Sequence, residues 1–394
     1  YADVLILGGG VAGLAALKSL RDNGITNYLL VEGGCRLGGR VHSVKSEDGL
    51  ILEYGAGWIH GGESFPLYDH AVDSELKLCK TNYNQASCRN EQGRDVTSVV
   101  ISAYYKLAKL SEETFDYAGG LKSNPEEPDI PYDQALAKSG WVARTPEEKL
   151  AEYLIYDFFY GMDTTKISTR FSFEYDPEDP ESFDYRVADT SYAKLIESFC
   201  EVDDLNDPKG PKILLNQVVT DVMCVDEGVI VKTSDTVFTA KYVIMTFSLG
   251  VMKSDVVRFT PPLPLAKVKT LRELTMLNYM KVFVRYADDV KPFWDDSEML
   301  AYCSARKHYF TIWENLKVLG ANVLVGTLMD DEADAALLWS PEELEENVME
   351  VLRNMYGDNI PQPKWIKTTT WMYDPLFQGA FSGRPVGITF KDIE

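Results

Sequence analysis

The chain has 394 residues, 45% of them apolar, enough to build sizeable cores and to fill two globular domains. No run of 18 or more apolar residues occurs, so nothing in it reads as a membrane-spanning helix. A net charge of −22 argues against nucleic acid as a partner; it fits a plain solvated acidic surface or one that steers a cationic substrate.

The first predicted element is Val4-Leu5-Ile6-Leu7, a short apolar run that reads as a buried parallel strand. Gly8-Gly9-Gly10-Val11-Ala12-Gly13 follows, then a helical run to Arg21 with Leu14, Leu17 and Leu20 at core spacing. A second strand, Tyr28-Leu29-Leu30-Val31, ends in Glu32. This is the context of a dinucleotide-binding βαβ unit. Gly8 permits the tight turn, and Gly10 lets backbone approach a pyrophosphate at the helix N-terminus. Gly13 lets helix and strand lie close, and Glu32 stands where an acid accepts a ribose hydroxyl.

Two further glycine-dense stretches follow, Gly33-Gly34-Cys35-Arg36-Leu37-Gly38-Gly39-Arg40 and Gly55-Ala56-Gly57-Trp58-Ile59-His60-Gly61. Small residues at this density mean backbone running close to a flat ligand or another strand. From Pro66 to Cys200 the character changes. Helical periodicity covers Val99 to Phe115 and Pro146 to Phe159, the latter opened by a capping box of Thr145 and Glu148. The acidic, proline-broken stretch 174–184 reads as a surface loop, and 189–200 as another helix. Strands return over 212–222, 229–233 and 238–247, the first two joined around Asp226-Glu227-Gly228. Pro261, Pro262 and Pro264 mark a crossing back. Strands at 281–285 and 322–328 and a helix at 341–355 complete the pattern. The alternation predicts an α/β fold: a Rossmann-like nucleotide-binding domain (1–65, 200–260 and 370–394) interleaved with a substrate-binding domain of sheet plus helices (66–199 and 261–369).

The six cysteines are scattered without a CxxC spacing, so no metal site is expected. Cys79 and Cys88 flank one short polar stretch and form a candidate bridge. That bridge, with a chain that begins at Tyr1 rather than Met, slightly favours a secreted protein; the cytoplasm and the peroxisome stay open. The absence of any Asn-x-Ser/Thr site weighs mildly the other way.

Taken together, Gly8 to Gly13, Glu32, Arg36-Leu-Gly-Gly-Arg40 and Gly55 to Gly61 resemble the flavin-containing amine oxidases. Later segments agree, in order: 215–222, Ser248-Leu-Gly-Val-Met252, Asn278-Tyr-Met-Lys281 and 371–382. Within that family the resemblance is closest to the polyamine oxidases, plant-type in layout. It implies FAD, with Gly8, Gly10, Ala12 and Gly13 at the pyrophosphate, Glu32 at the ribose and Arg40 at a phosphate. Gly57, Trp58 and Trp371 would line the flavin, and Val219 would meet the adenine through its backbone. It also implies a further flavin-covering segment after residue 394, from the same chain or a second polypeptide.

The implied reaction oxidises a small cationic amine such as spermine or spermidine. A hydride leaves the carbon beside the nitrogen for flavin N5, the imine hydrolyses, and O2 is reduced to hydrogen peroxide. Lys281 matches the family lysine that holds a water near N5. His60 stands where the plant enzymes carry glutamate and the animal polyamine oxidases carry histidine, and it would bind or deprotonate the amine. Tyr279 and Phe381 would form aromatic walls, and Phe159 takes the place of a substrate-anchoring acid. A monoamine or L-amino-acid oxidase on the same fold, or a flavin-fold scaffold without catalysis, are the alternatives.

Overall fold

In the computed structural model, residues 1–61, 63, 66–81, 86–172, 184–187, 191–199 and 212–388 are described. The chain divides into two compact units. One comprises Tyr1–Lys80, Pro180–Arg272 and Tyr373–Gln378; the other comprises Thr81–Asp179, Glu273–Met372 and Gly379–Glu394.

The first unit is built on a seven-stranded sheet. Its order is Arg258–Thr260, Val219–Val225, Gly228–Thr233, Val237–Met245, Ala2–Leu7, Tyr28–Val31, Lys212–Leu214. Ala2–Leu7 lies between Val237–Met245 and Tyr28–Val31 and is parallel to both. Leu5, Ile6 and Leu7 are fully buried, as a strand covered on both faces requires. The helix Val11–Asp22 packs through Leu14 and Leu17 into one core, and Leu5 and Leu7 join the core on the other side. The strand expected over 212–222 is two strands. Asn216 takes a left-handed conformation, and the turn is tied to the glycine segment by Asn216 N–H to Gly34 O (2.9 Å) and Gln217 N–H to Glu32 O (2.8 Å).

The expected domain limits shift. The strands Trp58–Ile59, Tyr185–Val187 and Leu78–Lys80 form one small sheet, which draws residues 66–80 and 184–199 into the first unit. The return of the chain after Thr370 is brief. Only Tyr373–Gln378 joins the first unit, where Leu376 presses on Gly33 and Ser248 Oγ donates to Phe377 O (2.6 Å). Phe381–Gly383 instead pairs with Thr275–Leu277 in the second unit.

The second unit carries a six-stranded sheet ordered Trp365–Thr368, Tyr279–Arg285, Val323–Met329, Tyr309–Asn315, Met299–Cys303, Ser87–Asn90. Met280, Val282 and Val284 face a core shared with Leu324, Trp313 and the helix Pro341–Tyr356. That helix starts on a capping box of Ser340 and Glu343. Helix Thr97–Ser123 runs beyond the expected range, and the Thr145–Glu148 box opens Pro146–Glu152. A π-helical turn, Tyr153–Asp157, and a short helix, Phe158–Tyr160, follow. Of the helix expected over 189–200, Lys194–Glu197 forms; 189–190 and 200 lie outside the described residues, as does 173–183 of the expected acidic loop. Among the described residues no helix is long and apolar enough to cross a membrane.

Candidate functional site

The glycine turn is shaped as a cradle. A Cβ on Gly13 would stand 1.9 Å from Gly8 O, so only glycine lets the helix begin this close to the strand, and Gly8 itself has φ +110°. Gly10 is the N-cap of Val11–Asp22, and no side chain caps it. The first turn contains no acid. The helix end therefore presents backbone N–H groups and a positive dipole end, the chemistry a pyrophosphate takes. Gly38 bridges to Gly10 and donates to Gly9 O (2.8 Å), so the second glycine run is laid beside the first. Arg36 fastens this arrangement by donating to the carbonyls of Gly39 (2.7 Å), Val41 and Leu37.

Glu32 reaches back over the turn. Its Oε2 accepts from Gly9 N–H and its Oε1 from Gly34 N–H, each at 2.6 Å. Each carboxylate oxygen keeps a lone pair with which to accept a hydroxyl. Val219 begins the strand that follows the 216–217 turn, so the turn bonded to Glu32 and Gly34 leads straight into it. Arg40 stands at the surface, yet desolvation by its surroundings holds its guanidinium below the ordinary pKa. Ala12 lies in the first helical turn. Gly57 O accepts from Val187 N–H (3.4 Å), and the Arg186 guanidinium lies 4.6 Å over the Trp58 ring. His60 follows on the same strand face, its Nδ1 2.9 Å from Asp184 Oδ1. Ten of the expected residues thus gather in the first unit: Gly8, Gly10, Ala12, Gly13, Glu32, Arg40, Gly57, Trp58, His60 and Val219.

The second unit gathers the others around Lys281. The strand Tyr279–Arg285 alternates, placing Tyr279, Lys281 and Phe283 opposite the face that enters the apolar core. Lys281 is 8% exposed. Thr369 clips its backbone twice, Lys281 N–H to Thr369 Oγ1 (2.9 Å) and Thr369 N–H to Lys281 O (3.0 Å). Tyr279 reaches Thr327 Oγ1 (3.4 Å) and lies 5.7 Å, ring to ring, from Phe381. Phe381 in turn covers Gly161, where a Cβ would fall 2.0 Å from the ring. Phe159 is two residues away on that helical end and 46% exposed, an open aromatic rather than a buried wall. Trp371 is buried two residues beyond Thr369, its carbonyl accepting from Gly379 N–H.

Behind Tyr279 lies a charged cluster that sequence reasoning did not find. Tyr153 packs with Tyr279 in one apolar cluster, and its ring meets that of His308. His308 Nε2 is 2.8 Å from Asp157 Oδ2. The ammonium of Lys307 lies 2.9 Å from the same oxygen, 2.8 Å from Glu152 Oε1 and 3.3 Å from Asp163 Oδ2. Asp157, Asp163 and His308 are close enough together to resemble a ligand set, but Lys307 supplies their cation. No local spacing signals the cluster, because Glu152 ends a helix, Asp157 sits in the π-helical turn, Asp163 follows the short helix after it, and Lys307 and His308 come from a distant strand connection.

The candidate Cys79–Cys88 bridge does not form; both are free thiols. Cys79 sits on a strand of the small sheet of the first unit. Cys88 is buried in the second unit, on a strand paired with Met299–Cys303.

Comparison with known proteins places this geometry. The chain is 29% identical to polyamine oxidase 1 of Zea mays over 98% of its own length and 81% of that protein's. It is 28% identical to polyamine oxidase 7 of Oryza sativa, over 98% and 85%. Its fold matches a putrescine oxidase solved with putrescine bound (TM-score 0.77, 19% identity, 98% and 88% covered). It also matches the cyclohexylamine oxidase of Brevibacterium oxydans (TM-score 0.74, 18% identity, 98% and 88% covered). The model of the flavin containing amine oxidoreductases matches residues 11–392, and the chain is a member of that family: an oxidoreductase with an α/β fold whose cofactor is FAD.

Proposed function

We propose that the amine this enzyme oxidises is a polyamine of the spermine or spermidine type. The observation that carries the reading is the similarity to plant polyamine oxidases along 98% of the chain. The net charge of −22 agrees with a polycationic substrate.

The residues fit FAD. Backbone at Gly8, Gly10, Ala12 and Gly13 would take the pyrophosphate, Arg40 a phosphate and Glu32 the ribose. Val219 would meet the adenine, and Gly57, Trp58 and Trp371 would line the flavin. Bound FAD supplies the acceptor for the hydride leaving the carbon beside the nitrogen, and O2 reoxidises it with release of hydrogen peroxide. The protein's own tasks are to hold the amine, free its nitrogen lone pair and deliver water to the imine. His60 takes a proton from the substrate ammonium, because only the neutral amine releases hydride readily. Lys281, buried between the apolar Met280 and Val282, holds a water at Nζ for the hydrolysis. Tyr279 and Phe381 offer aromatic faces to the amine and its methylenes, and Phe159 extends them toward solvent.

Peroxide release from the purified protein tests the reading, with spermine, spermidine, cyclohexylamine and L-amino acids as substrates. Turnover of spermine or spermidine at the highest kcat/KM is expected. Turnover confined to the monoamine or the amino acids would refute it.

A further inference from the structure

His60 owes its place to strand register. Trp58 pairs with Arg186 and Ile59 with Tyr185 in an antiparallel ladder, so the next pair brings His60 opposite Asp184. Ile59 points into the core with 0% exposure. Trp58 and His60 share the other face, each met by a charged side chain from the facing strand: Arg186 over Trp58 and Asp184 beside His60.

The two members of the second pair differ sharply in burial. Asp184 is 7% exposed, whereas the His60 side chain is 68% exposed. One edge of the ring is tied down at a desolvated carboxylate and the remainder stands open. The edge that is tied is Nδ1, at 2.9 Å. A carboxylate accepts and does not donate, so the nitrogen facing it carries the hydrogen. In a neutral ring the lone pair is then left on Nε2.

We propose that Asp184 is a positioning residue for the amine oxidation. It fixes His60 as the Nδ1–H tautomer, aims the ring, and leaves Nε2 as the atom that takes the substrate's proton. The proposal rests on the reading of His60 given above. An exposed histidine without such a partner would rotate freely and present either nitrogen.

The full-length protein labelled with 15N-histidine tests the tautomer without turnover. The chain has four histidines, and a His60→Gln variant identifies the His60 signals by difference. Long-range 1H–15N correlation at alkaline pH is expected to show His60 protonated at Nδ1, and a shift toward Nε2–H in Asp184→Asn. In kinetics, Asp184→Asn and Asp184→Ala should each lower kcat/KM at least about tenfold. Neither should lower it further in a His60→Gln background, and Asp184→Glu should recover part of the loss. Flavin absorbance of Asp184→Asn controls for folding. His60 protonated at Nε2 in the native protein would overturn the proposal. So would an Asp184→Asn loss that persists undiminished without His60. If no polyamine is turned over, the substrate reading fails while the tautomer result still stands.

Discussion

Replacing Lys307 by methionine removes a cation that touches three acids in the second unit. Its ammonium lies within 3.3 Å of Glu152, Asp157 and Asp163, and its side chain is 17% exposed. Asp157 is fully buried, and its Oδ1 already lacks a hydrogen-bond partner. Breaking a buried ion pair from one side costs roughly 3–5 kcal/mol. Because His308 still meets Asp157 at 2.8 Å and Lys307 is partly wet, a loss of about 3 kcal/mol is expected. The pH dependence has a definite form. Desolvation raises Asp163, but Lys307, the Thr165 bonds and His308 outweigh it and leave the carboxyl below its ordinary 3.8. Its contribution is full above that value and fades as pH falls through the depressed pKa. Desolvation lowers Lys307, and its three acids more than reverse this, leaving it above its ordinary 10.5. Its contribution is full below 10.5 and fades as pH rises through the elevated pKa. The difference between Lys307→Met and the native protein, measured by urea unfolding, should therefore be flat between these values and shrink at both extremes. Adding Asp157→Asn should cost less than it does alone, by about 1 kcal/mol or more. A loss below about 1 kcal/mol, or full additivity, would refute the reasoning.

Three further outcomes are expected. Gly13→Ala drives a methyl to within 1.9 Å of the Gly8 carbonyl, so the purified variant should lack the visible flavin band; retention of stoichiometric FAD would contradict the cradle. Lys281→Met should keep FAD and lose kcat by roughly 100-fold or more, read as peroxide release; an unchanged kcat would remove Lys281 from the chemistry. Burial pushes the Cys88 and Cys303 thiols up to about 12, whereas Cys35 and Cys224 are exposed. A thiol reagent at neutral pH should label Cys35 and Cys224 in the native protein and Cys88 and Cys303 only after unfolding, as peptide mapping would show; a linked Cys79–Cys88 peptide would contradict the structure.

What was legible in the sequence is what local chemistry dictates. Gly8, Gly13 and Glu32 announce their turn because each is required by a contact within one βαβ unit. Thr145 with Glu148 announces a helix start for the same reason. What stayed hidden depends on pairing between distant segments. The register that places Asp184 beside His60 is set by strands far apart in the chain. The Lys307 cluster needs the π-helical turn at Tyr153–Asp157 to bring Asp157 inward, and no spacing rule marks that turn. Cys79 and Cys88 are close in sequence yet unlinked, because they belong to strands of different sheets. The expected extent of the nucleotide domain failed at the C-terminal side, where only Tyr373–Gln378 returns and Phe381–Gly383 pairs elsewhere.

That six-residue return sets a clock on biosynthesis. Gly33 and Gly39 find Leu376 and Phe377 only after about 340 further residues have been translated. At about 5–20 residues per second the gap is roughly 20–70 s. During that interval the nascent glycine cradle lacks the segment that backs it. Completion of the cradle accordingly trails the synthesis of its own glycines.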